Sequence, residues 1–181
     1  EQSGESHTAL WRSANGVPAP ARIIVVNDEL TADRAYRHVC EGTALLWQGD
    51  YHNARQMLQA LARRIDKPPR PRRDAAKRAD AAPPVDFNRH RMNEAQRARL
   101  LGLLLVAHDA DHGVTLRRAP DVRLACLEAL GPATQPYLAS LRELLGMIGA
   151  HQWRRLGVEI PALGARIHPH YGVYSPVRGE Y

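Results

Sequence analysis

The sequence is poor in the features that mark membrane proteins and disulfide-bonded secreted proteins. It has 2 cysteines and 1 phenylalanine among its 181 residues. Its longest apolar run, residues 100–107, contains a glycine and falls well short of the roughly 18 residues that a membrane span needs. No basic stretch followed by an apolar one opens the chain, so no secretory signal is visible. We therefore expect a soluble, cytoplasmic protein in which Cys40 and Cys126 are reduced thiols.

The common catalytic motifs are absent as well. The sequence has no GxxxxGK[ST] phosphate loop, no GxGxxG after a strand and no GxSxG nucleophile elbow. Neither cysteine lies in a motif that would activate its thiol. The residues alone therefore indicate no nucleotide site and no catalytic site.

The composition nevertheless indicates a folded domain. Hydrophobic residues make up 44% of the chain and charged residues 24%, which is enough to build a core. The length of 181 residues suits one domain with an attached piece. The sequence has no initiator methionine and stops without a polar tail, so we expect it to be part of a longer protein.

Positive charge is concentrated in one segment. The net charge of the chain is +6, and residues 63–99 hold twelve basic and five acidic residues, a local excess of seven. Such a segment attracts RNA or DNA because binding releases counterions. Phe87 is its one aromatic residue, so a platform for stacking bases is not expected. A solvated linker is the favoured interpretation, and nucleic-acid binding is the alternative.

Hydrophobic periodicity predicts about five helices. Apolar residues recur at helical spacing in segments that begin near Thr31, Asp50, Asn88, Arg118 and Ser140. We expect the third helix to continue through residue 105. The fifth opens with the pattern SLRE, which is typical of a capping box, where a serine and a glutamate each bond the other's backbone N–H.

Strands are expected only near the two ends of the chain. Ile23–Val26 is a short β-branched run, and residues 158–181 mix short alternating pieces with glycine and proline. The predicted fold is mainly α (about five helices) with a short N-terminal strand and a C-terminal β-hairpin or extended segment, α+β overall. The predicted organisation is a flexible arm over residues 1–20, a helical domain over residues 21–157 with a basic proline-rich linker at residues 67–85, and a hairpin over residues 158–181.

Two histidine-rich segments were weighed as metal sites. His108 and His112 are four residues apart, but they would need one helical face and a third ligand, and a solvated loop is favoured here. His168 and His170 flank a proline and have no carboxylate at a suitable spacing, so packing within a hairpin is favoured. No metal site is predicted.

Two neighbouring arginines precede the fourth helix. Arg117 and Arg118 have the chemistry to hold an anion or to pair with Asp121. The ion pair is the favoured interpretation, because a nearby carboxylate is always present whereas an anionic ligand is not.

Six longer stretches carry a resemblance to a known family. They read GTALLWQGD (residues 42–50), NARQ (53–56), LRRAPDV (116–122), LRELLG (141–146), GAHQW (149–153) and IHPHYGVYSPVRGEY (167–181). From about residue 23 to residue 181, the chain resembles the N-terminal region of a bacterial class I SAM-dependent methyltransferase. The group it is similar to has the "methyltransferase small" catalytic domain and is distantly related to ribosomal-RNA and release-factor methylases.

The resemblance implies that a Rossmann-like catalytic domain follows, with a glycine-rich SAM loop and an Asn-Pro-Pro-Trp/Tyr motif. This sequence contains neither. It therefore implies a substrate-recognition part that binds no S-adenosyl-L-methionine and catalyses nothing on its own, while the whole enzyme uses that cofactor on RNA or a protein. The alternatives are a stand-alone nucleic-acid-binding helical protein that uses residues 63–99 and a helical interaction module without a ligand.

The same resemblance suggests two sets of candidate site residues. Residues in the last stretch would face the cofactor site or only connect the two domains, and they are Tyr171, Tyr174, Ser175, Arg178 and Glu180. The candidate contacts to a substrate or nucleic acid are Arg70, Arg72, Arg73, Arg89, Arg91, Arg117 and Arg118.

Overall fold

The structure is a computed structural model that describes residues 9–67 and 87–173. Within these ranges the chain forms an α/β fold with five α-helices, a five-stranded mixed sheet and a separate two-stranded sheet. The expectation of a mainly α fold is therefore wrong. Three internal strands of the large sheet lie in segments where no strand was expected.

Helices and strands alternate along most of the chain. The strands are β1 (Leu10–Trp11), β2 (Ile23–Val26), β3 (Ala44–Trp47), β4 (Leu104–His108), β5 (Tyr137–Ser140), β6 (Val158–Ile160) and β7 (Ala165–Ile167). The helices are α1 (Ala32–Cys40), α2 (Tyr51–Ile65), α3 (Phe87–Leu101), α4 (Arg123–Leu130) and α5 (Leu141–Leu156).

The large sheet has the strand order β1-β5-β4-β3-β2. Strands β2, β3 and β4 are parallel, β5 is antiparallel to β4, and β1 is parallel to β5. The carboxyl ends of the three parallel strands and the amino end of β5 consequently lie at one edge of the sheet, called here the carboxyl edge. At the opposite edge, the amino edge, β5 leads directly into α5.

The three missed internal strands, β3, β4 and β5, share one physical property, which is burial on both faces. Every residue of β5 is buried, and β3 and β4 each have a single residue that is not fully buried. A strand covered on both faces has no alternation of apolar and polar residues, so a short one reads like a turn of a buried helix. The third helix was accordingly expected to reach residue 105, but it ends at Leu101 and β4 begins at Leu104.

The core lies between the sheet and the helices packed on it. Its largest fully buried side chains include Trp47, Leu61, Leu105 and Leu144. Helix α2 begins next to Asp50 as expected, and the Asp50 carboxylate caps it by accepting the backbone N–H of His52 at 2.9 Å. Helix α1 is capped in the same way by Thr31.

The two ends of the described chain are tied to the sheet or to α5. Trp11 lies in β1 and its indole N–H donates to the Val17 carbonyl at 2.7 Å, within the segment assigned above to a flexible arm. After α5, strands β6 and β7 form an antiparallel hairpin that turns at Gly164, whose φ of 58° lies in the left-handed region. In the described ranges, no helix has the length and apolar character needed to cross a membrane.

Candidate functional site

A loop at the carboxyl edge brings residues from three strands together. This loop, residues 109–122, leaves β4 and pairs back on it through a bridge between His108 and Val114. It then crosses to the end of β3, where Arg117 bridges Asp50. Crevices at the carboxyl ends of parallel strands are the usual ligand sites of open α/β sheets, so this edge is the candidate site.

The first group of side chains at this edge is the Asp50 cluster, formed by Asp28, Asp50, Arg117 and Arg118. The Asp50 side chain is fully buried, and its Oδ2 accepts from Nε of Arg118 at 2.5 Å and from Nε of Arg117 at 3.3 Å. The backbone fixes the same contact, because Arg117 N–H donates to the Gly49 carbonyl at 3.2 Å. Two segments far apart in sequence are thereby joined by charge and by backbone bonds.

Asp28 supports this cluster from the end of β2. Both of its carboxylate oxygens accept the backbone N–H of Asp50, at 3.1 and 3.2 Å. The approach is so close that a Cβ placed on Gly49 would lie 2.6 Å from Asp28 Oδ1. A side chain at position 49 would therefore displace the Asp28 carboxylate from its bonds with the Asp50 N–H.

On the buried side of the Asp50 cluster, the carboxylate of Asp50 is paired with the guanidinium groups of Arg117 and Arg118. The hydrogen bond from Arg118 holds the pKa of Asp50 well below its usual range, although burial acts in the opposite direction. The expected pairing of these arginines with Asp121 is wrong, since Asp121 instead pairs with Arg123 at 3.3 Å. The arginine side chains are 71% and 61% exposed, so their outer faces are available to an anionic partner.

The second group is the His112 cluster, formed by His108, His112 and Tyr137. His112 Nδ1 lies 2.9 Å from the Tyr137 hydroxyl, and the His108 ring stacks on Tyr137 with a centroid distance of 4.6 Å. His108 Nδ1 lies 3.1 Å from the backbone oxygen of His112. A carbonyl only accepts, so in the neutral ring this Nδ1 carries the proton and Nε2 is left as an acceptor.

The surroundings of both histidines favour the neutral form of the ring. Burial lowers the pKa of His108, and burial followed by the positive charge of Arg12 lowers the pKa of His112. The Nε2 atoms of both rings are buried without a hydrogen-bond partner among the described residues. Nearby Cys126 is inert, because burial raises the pKa of its thiol to about 11.

The expectation of a solvated loop around the two histidines is wrong, because His108 is the last residue of β4 and both side chains are buried. The segment between them is a turn. Asp109 organises it by accepting the backbone N–H groups of Asp111 and Gly113. Arg123 closes the turn through an ion pair with Asp111 at 2.8 Å. In the part of the chain that the structure describes, no three His, Cys, Asp or Glu side chains are grouped to hold a metal ion.

Of the predicted site residues that the structure describes, only Arg117 and Arg118 lie together. Arg117 and Arg118 lie in the Asp50 cluster, whereas Arg89 and Arg91 are exposed on α3. Tyr171 is partly buried against the core, and burial raises its pKa. The remaining candidates lie outside the described residues, and they are Arg70, Arg72, Arg73, Tyr174, Ser175, Arg178 and Glu180.

The predicted capping box at the start of α5 is wrong. The Ser140 hydroxyl bonds none of the first backbone N–H groups of α5 and is buried without a partner in the described structure. Glu143 accepts instead from the Ser13 hydroxyl at 2.7 Å, the Ala14 N–H at 3.0 Å and the Asn15 amide at 3.1 Å. The carboxylate thus holds the N-terminal segment, a use that no local sequence pattern indicates.

Sequence reasoning also missed Asp28 and Tyr137 as partners. One signal was available for the first, since Asp28 and Asp50 both follow short apolar runs that are strands in the fold. Reading both runs as parallel strands would have placed their polar successors at one edge.

No protein-family model matches the chain, and no curated protein matches it. The function must therefore be argued from the sequence and the site themselves.

Proposed function

We propose that this chain is the N-terminal substrate-recognition part of a cytoplasmic SAM-dependent methyltransferase, without catalytic activity on its own. S-adenosyl-L-methionine then binds in another part of the complete protein, and the methyl acceptor is RNA or a protein. The 181 residues contribute by positioning the acceptor, which lowers the entropic part of the barrier in a two-substrate reaction.

The six stretches that resemble the methyltransferase family are the observation that carries this proposal. The fold supports it, because two of these stretches meet in space: Asp50 ends GTALLWQGD, while Arg117 and Arg118 belong to LRRAPDV. Two more, LRELLG and GAHQW, lie in α5. Stretches that contact one another in the fold depend on each other's structure, as expected of parts of one structural unit.

The chemistry of the described residues favours recognition over catalysis. Asp50 is neutralised by two arginines, and the buried thiol of Cys126 is protonated at neutral pH. The two buried histidines are at the carboxyl edge but are enclosed, with exposures of 1% and 3%. What this edge presents to solvent is the guanidinium groups of Arg117 and Arg118, which suit an anionic acceptor such as RNA or an acidic protein segment.

Calorimetric titration of S-adenosyl-L-methionine tests the proposal. We expect no binding heat with the 181-residue chain and saturable binding with the complete gene product. Transfer of a radiolabelled methyl group to total RNA or to total protein then identifies the acceptor class. Absence of cofactor binding by the complete gene product would overturn the proposal.

A variant of the complete gene product tests the recognition role. Arg117→Gln removes one outward guanidinium while leaving the shorter bond from Arg118 to Asp50 in place. We expect a higher KM for the acceptor and an unchanged affinity for the cofactor. Arg155→Gln, at the exposed end of α5, is the matched control. Equal KM values for both variants and the wild type would exclude this edge as the recognition surface.

A second candidate function, direct nucleic-acid binding, is favoured by the position of α3. Residues 89–96 of this helix are all exposed, and they include Arg89 and Arg91. Most helices bury one apolar face, so a stretch exposed all round is unusual. Binding of a labelled single-stranded RNA should weaken about tenfold or more between 50 and 200 mM salt if several phosphates are contacted. Binding that does not depend on salt, or that Arg89→Glu leaves unchanged, would reject this candidate.

A further inference from the structure

Strand β2 is the last strand on one side of the large sheet, and among the described residues it pairs with β3 alone. The carbonyls of Arg22 and Val26 accept backbone N–H groups from β3 and from the residue after it, at 2.8 and 2.7 Å. Because peptide groups alternate in direction along a strand, those of Ile23 and Val25 point away from the sheet. The outward side of residues 22–29 is called here the β2 edge.

The β2 edge has none of the features that usually prevent strand pairing at the side of a sheet. Natural edge strands are commonly blocked by a charged residue, a proline or a bulge. Strand β2 reads IIVV, which is four β-branched residues, and it stays in register with β3 over its whole length. Its outward peptide groups are therefore able to pair with a further strand.

Two apolar side chains on one face of β2 are exposed. Ile23 is 40% exposed and Val25 is 48% exposed, whereas Val26, on the other face, is buried in the core. Apolar β-branched side chains that lie opposite each other on neighbouring strands stabilise a sheet. A strand added at the β2 edge would thus cover apolar surface as well as pair backbone groups.

The two ends of the β2 edge carry opposite charges. Arg22 precedes the strand, Asp28 and Glu29 follow it, and all three residues are exposed. When two β2 strands lie antiparallel, the amino end of each is beside the carboxyl end of the other, so the arginine of each copy meets the acids of the other. A parallel arrangement would instead bring like charges together, which destabilises a sheet. The edge is therefore complementary to itself in the antiparallel direction.

We propose that two copies of this chain associate through the β2 edge and join their sheets into one continuous antiparallel pairing. The two-fold axis passes beside Ile24, so that Ile23 of each copy faces Val25 of the other and their outward peptide groups bond in both directions. Stable interfaces bury about 800 Å² per partner, and an edge of four residues supplies only part of that area. The association is accordingly weak and depends on protein concentration.

Hydrogen exchange followed by NMR tests this arrangement residue by residue on the 181-residue chain. Raising the concentration from about 20 µM to about 1 mM should slow exchange severalfold at the amides of Ile23 and Val25. The amides of Ile24 and Val26 point towards β3 and should be unchanged. Over the same range, sedimentation equilibrium should show the mass rising from 20.2 kDa towards twice that value.

Three results of these measurements would overturn the proposal. The first is a chain that stays monomeric at about 1 mM, the upper end of weak association. The second is a dimer in which the amides of Ile23 and Val25 exchange as fast as in the monomer. The third is assembly beyond a dimer, because a two-fold pairing occupies the β2 edge of both copies and is closed.

A substitution in the strand locates the interface. Val25→Lys places a charge at the edge and should weaken dimerisation about tenfold or more, because each substitution acts twice across a two-fold axis. Leu124→Lys is the matched control, since Leu124 is 65% exposed on α4, and it should have no effect. Equal affinities of the two variants would refute pairing through β2.

A charge exchange identifies the occupant and its direction. Arg22→Glu places acids against acids and should weaken dimerisation about threefold or more, and Arg22→Glu/Glu29→Arg should restore it. Restoration requires that both charges come from copies of the same chain, which excludes an unrelated strand as the occupant. An affinity that neither variant changes would refute the antiparallel arrangement.

Thermal unfolding of the dilute monomer separates association from folding. All of these variants should melt close to the wild-type temperature, because the substituted positions are exposed. Should Val25→Lys fold poorly, the charge exchange at Arg22 and Glu29 still decides the question. None of the substituted residues belongs to the Asp50 cluster, so failure of the dimer would leave the proposed recognition function untouched, and the reverse also holds.

Discussion

The His112 cluster should make the protein sensitive to mild acid. Burial lowers the pKa values of His108 and His112 from their ordinary value of 6.5, so the folded state binds protons at these rings less readily than the unfolded chain does. Stability is therefore unaffected by these groups above about pH 7 and falls as the pH drops below about 6.5. The loss continues until the pH reaches the folded-state values.

The size of this loss follows from proton linkage. Each histidine that binds a proton only in the unfolded state reduces the free energy of unfolding by up to about 1.4 kcal/mol per pH unit, and two by up to about 2.7. A typical domain has about 5–15 kcal/mol of stability, so a loss near this upper limit is a substantial share of it. Arg12 opposes protonation of His112, whereas Asp109 favours protonation of both rings. The slope of the free energy of unfolding against pH measures the balance of these effects.

Urea unfolding followed by circular dichroism between pH 7.5 and 5.0 measures the slope. The control replaces both rings in His108→Asn/His112→Asn, since asparagine presents an amide where each Nδ1 stands and tolerates the left-handed φ of 72° at residue 112. We expect the control to have a nearly flat stability profile in this range. Carboxylates with lowered pKa values, such as Asp111 at about 2, act only at lower pH. A wild-type slope that equals that of the control would refute the reasoning.

Three further predictions concern single positions and are read from thermal or urea unfolding. Asp50→Asn should lower the melting temperature and reduce the sensitivity of stability to pH below about 4, because a carboxylate with a lowered pKa stabilises the fold only while it is ionised; an unchanged acid profile would contradict this. Gly49→Ala should destabilise the protein, because its Cβ would lie 2.6 Å from a carboxylate oxygen, whereas Gly146→Ala, with open space inside α5, should stabilise it by about 0.5–1 kcal/mol. Changes of the same sign in the free energy of unfolding of both variants would contradict the geometry. Leu105→Ala, at 0% exposure, should cost about 2–5 kcal/mol, and Leu124→Ala, at 65% exposure, about 0.5 kcal/mol or less; similar losses would argue against the assigned core.

The candidate sites show why local patterns were only partly informative. The SLRE pattern at Ser140 is a sound signal of a helix start, and α5 does begin there. The bonds it implies are nevertheless absent, because Glu143 binds the segment at Ser13 and Ala14 instead. A pattern of four residues records what those residues are able to do with one another and contains no information about competing partners from distant segments.

The arginine pair at residues 117 and 118 illustrates the same limit. The sequence placed an acid nearby at Asp121, yet the structure pairs the arginines with Asp50, which belongs to another strand connection. Distance along the chain is a poor guide here, since the loop that carries both arginines crosses the sheet edge. Only the strand order determines which carboxylate they meet.

The sequence by itself determined the starts of α1, α2 and α5 and the concentration of positive charge, because caps and helical periodicity are properties of neighbouring residues. Tertiary structure decided the α/β class, the two clusters at the carboxyl edge and the partners of Glu143 at the amino edge. The strands β3, β4 and β5 are four or five residues long and buried on both faces, so their identity depends on hydrogen bonds to distant strands. Those bonds form between segments that the sequence keeps apart, and the side-chain partners at each edge follow from them.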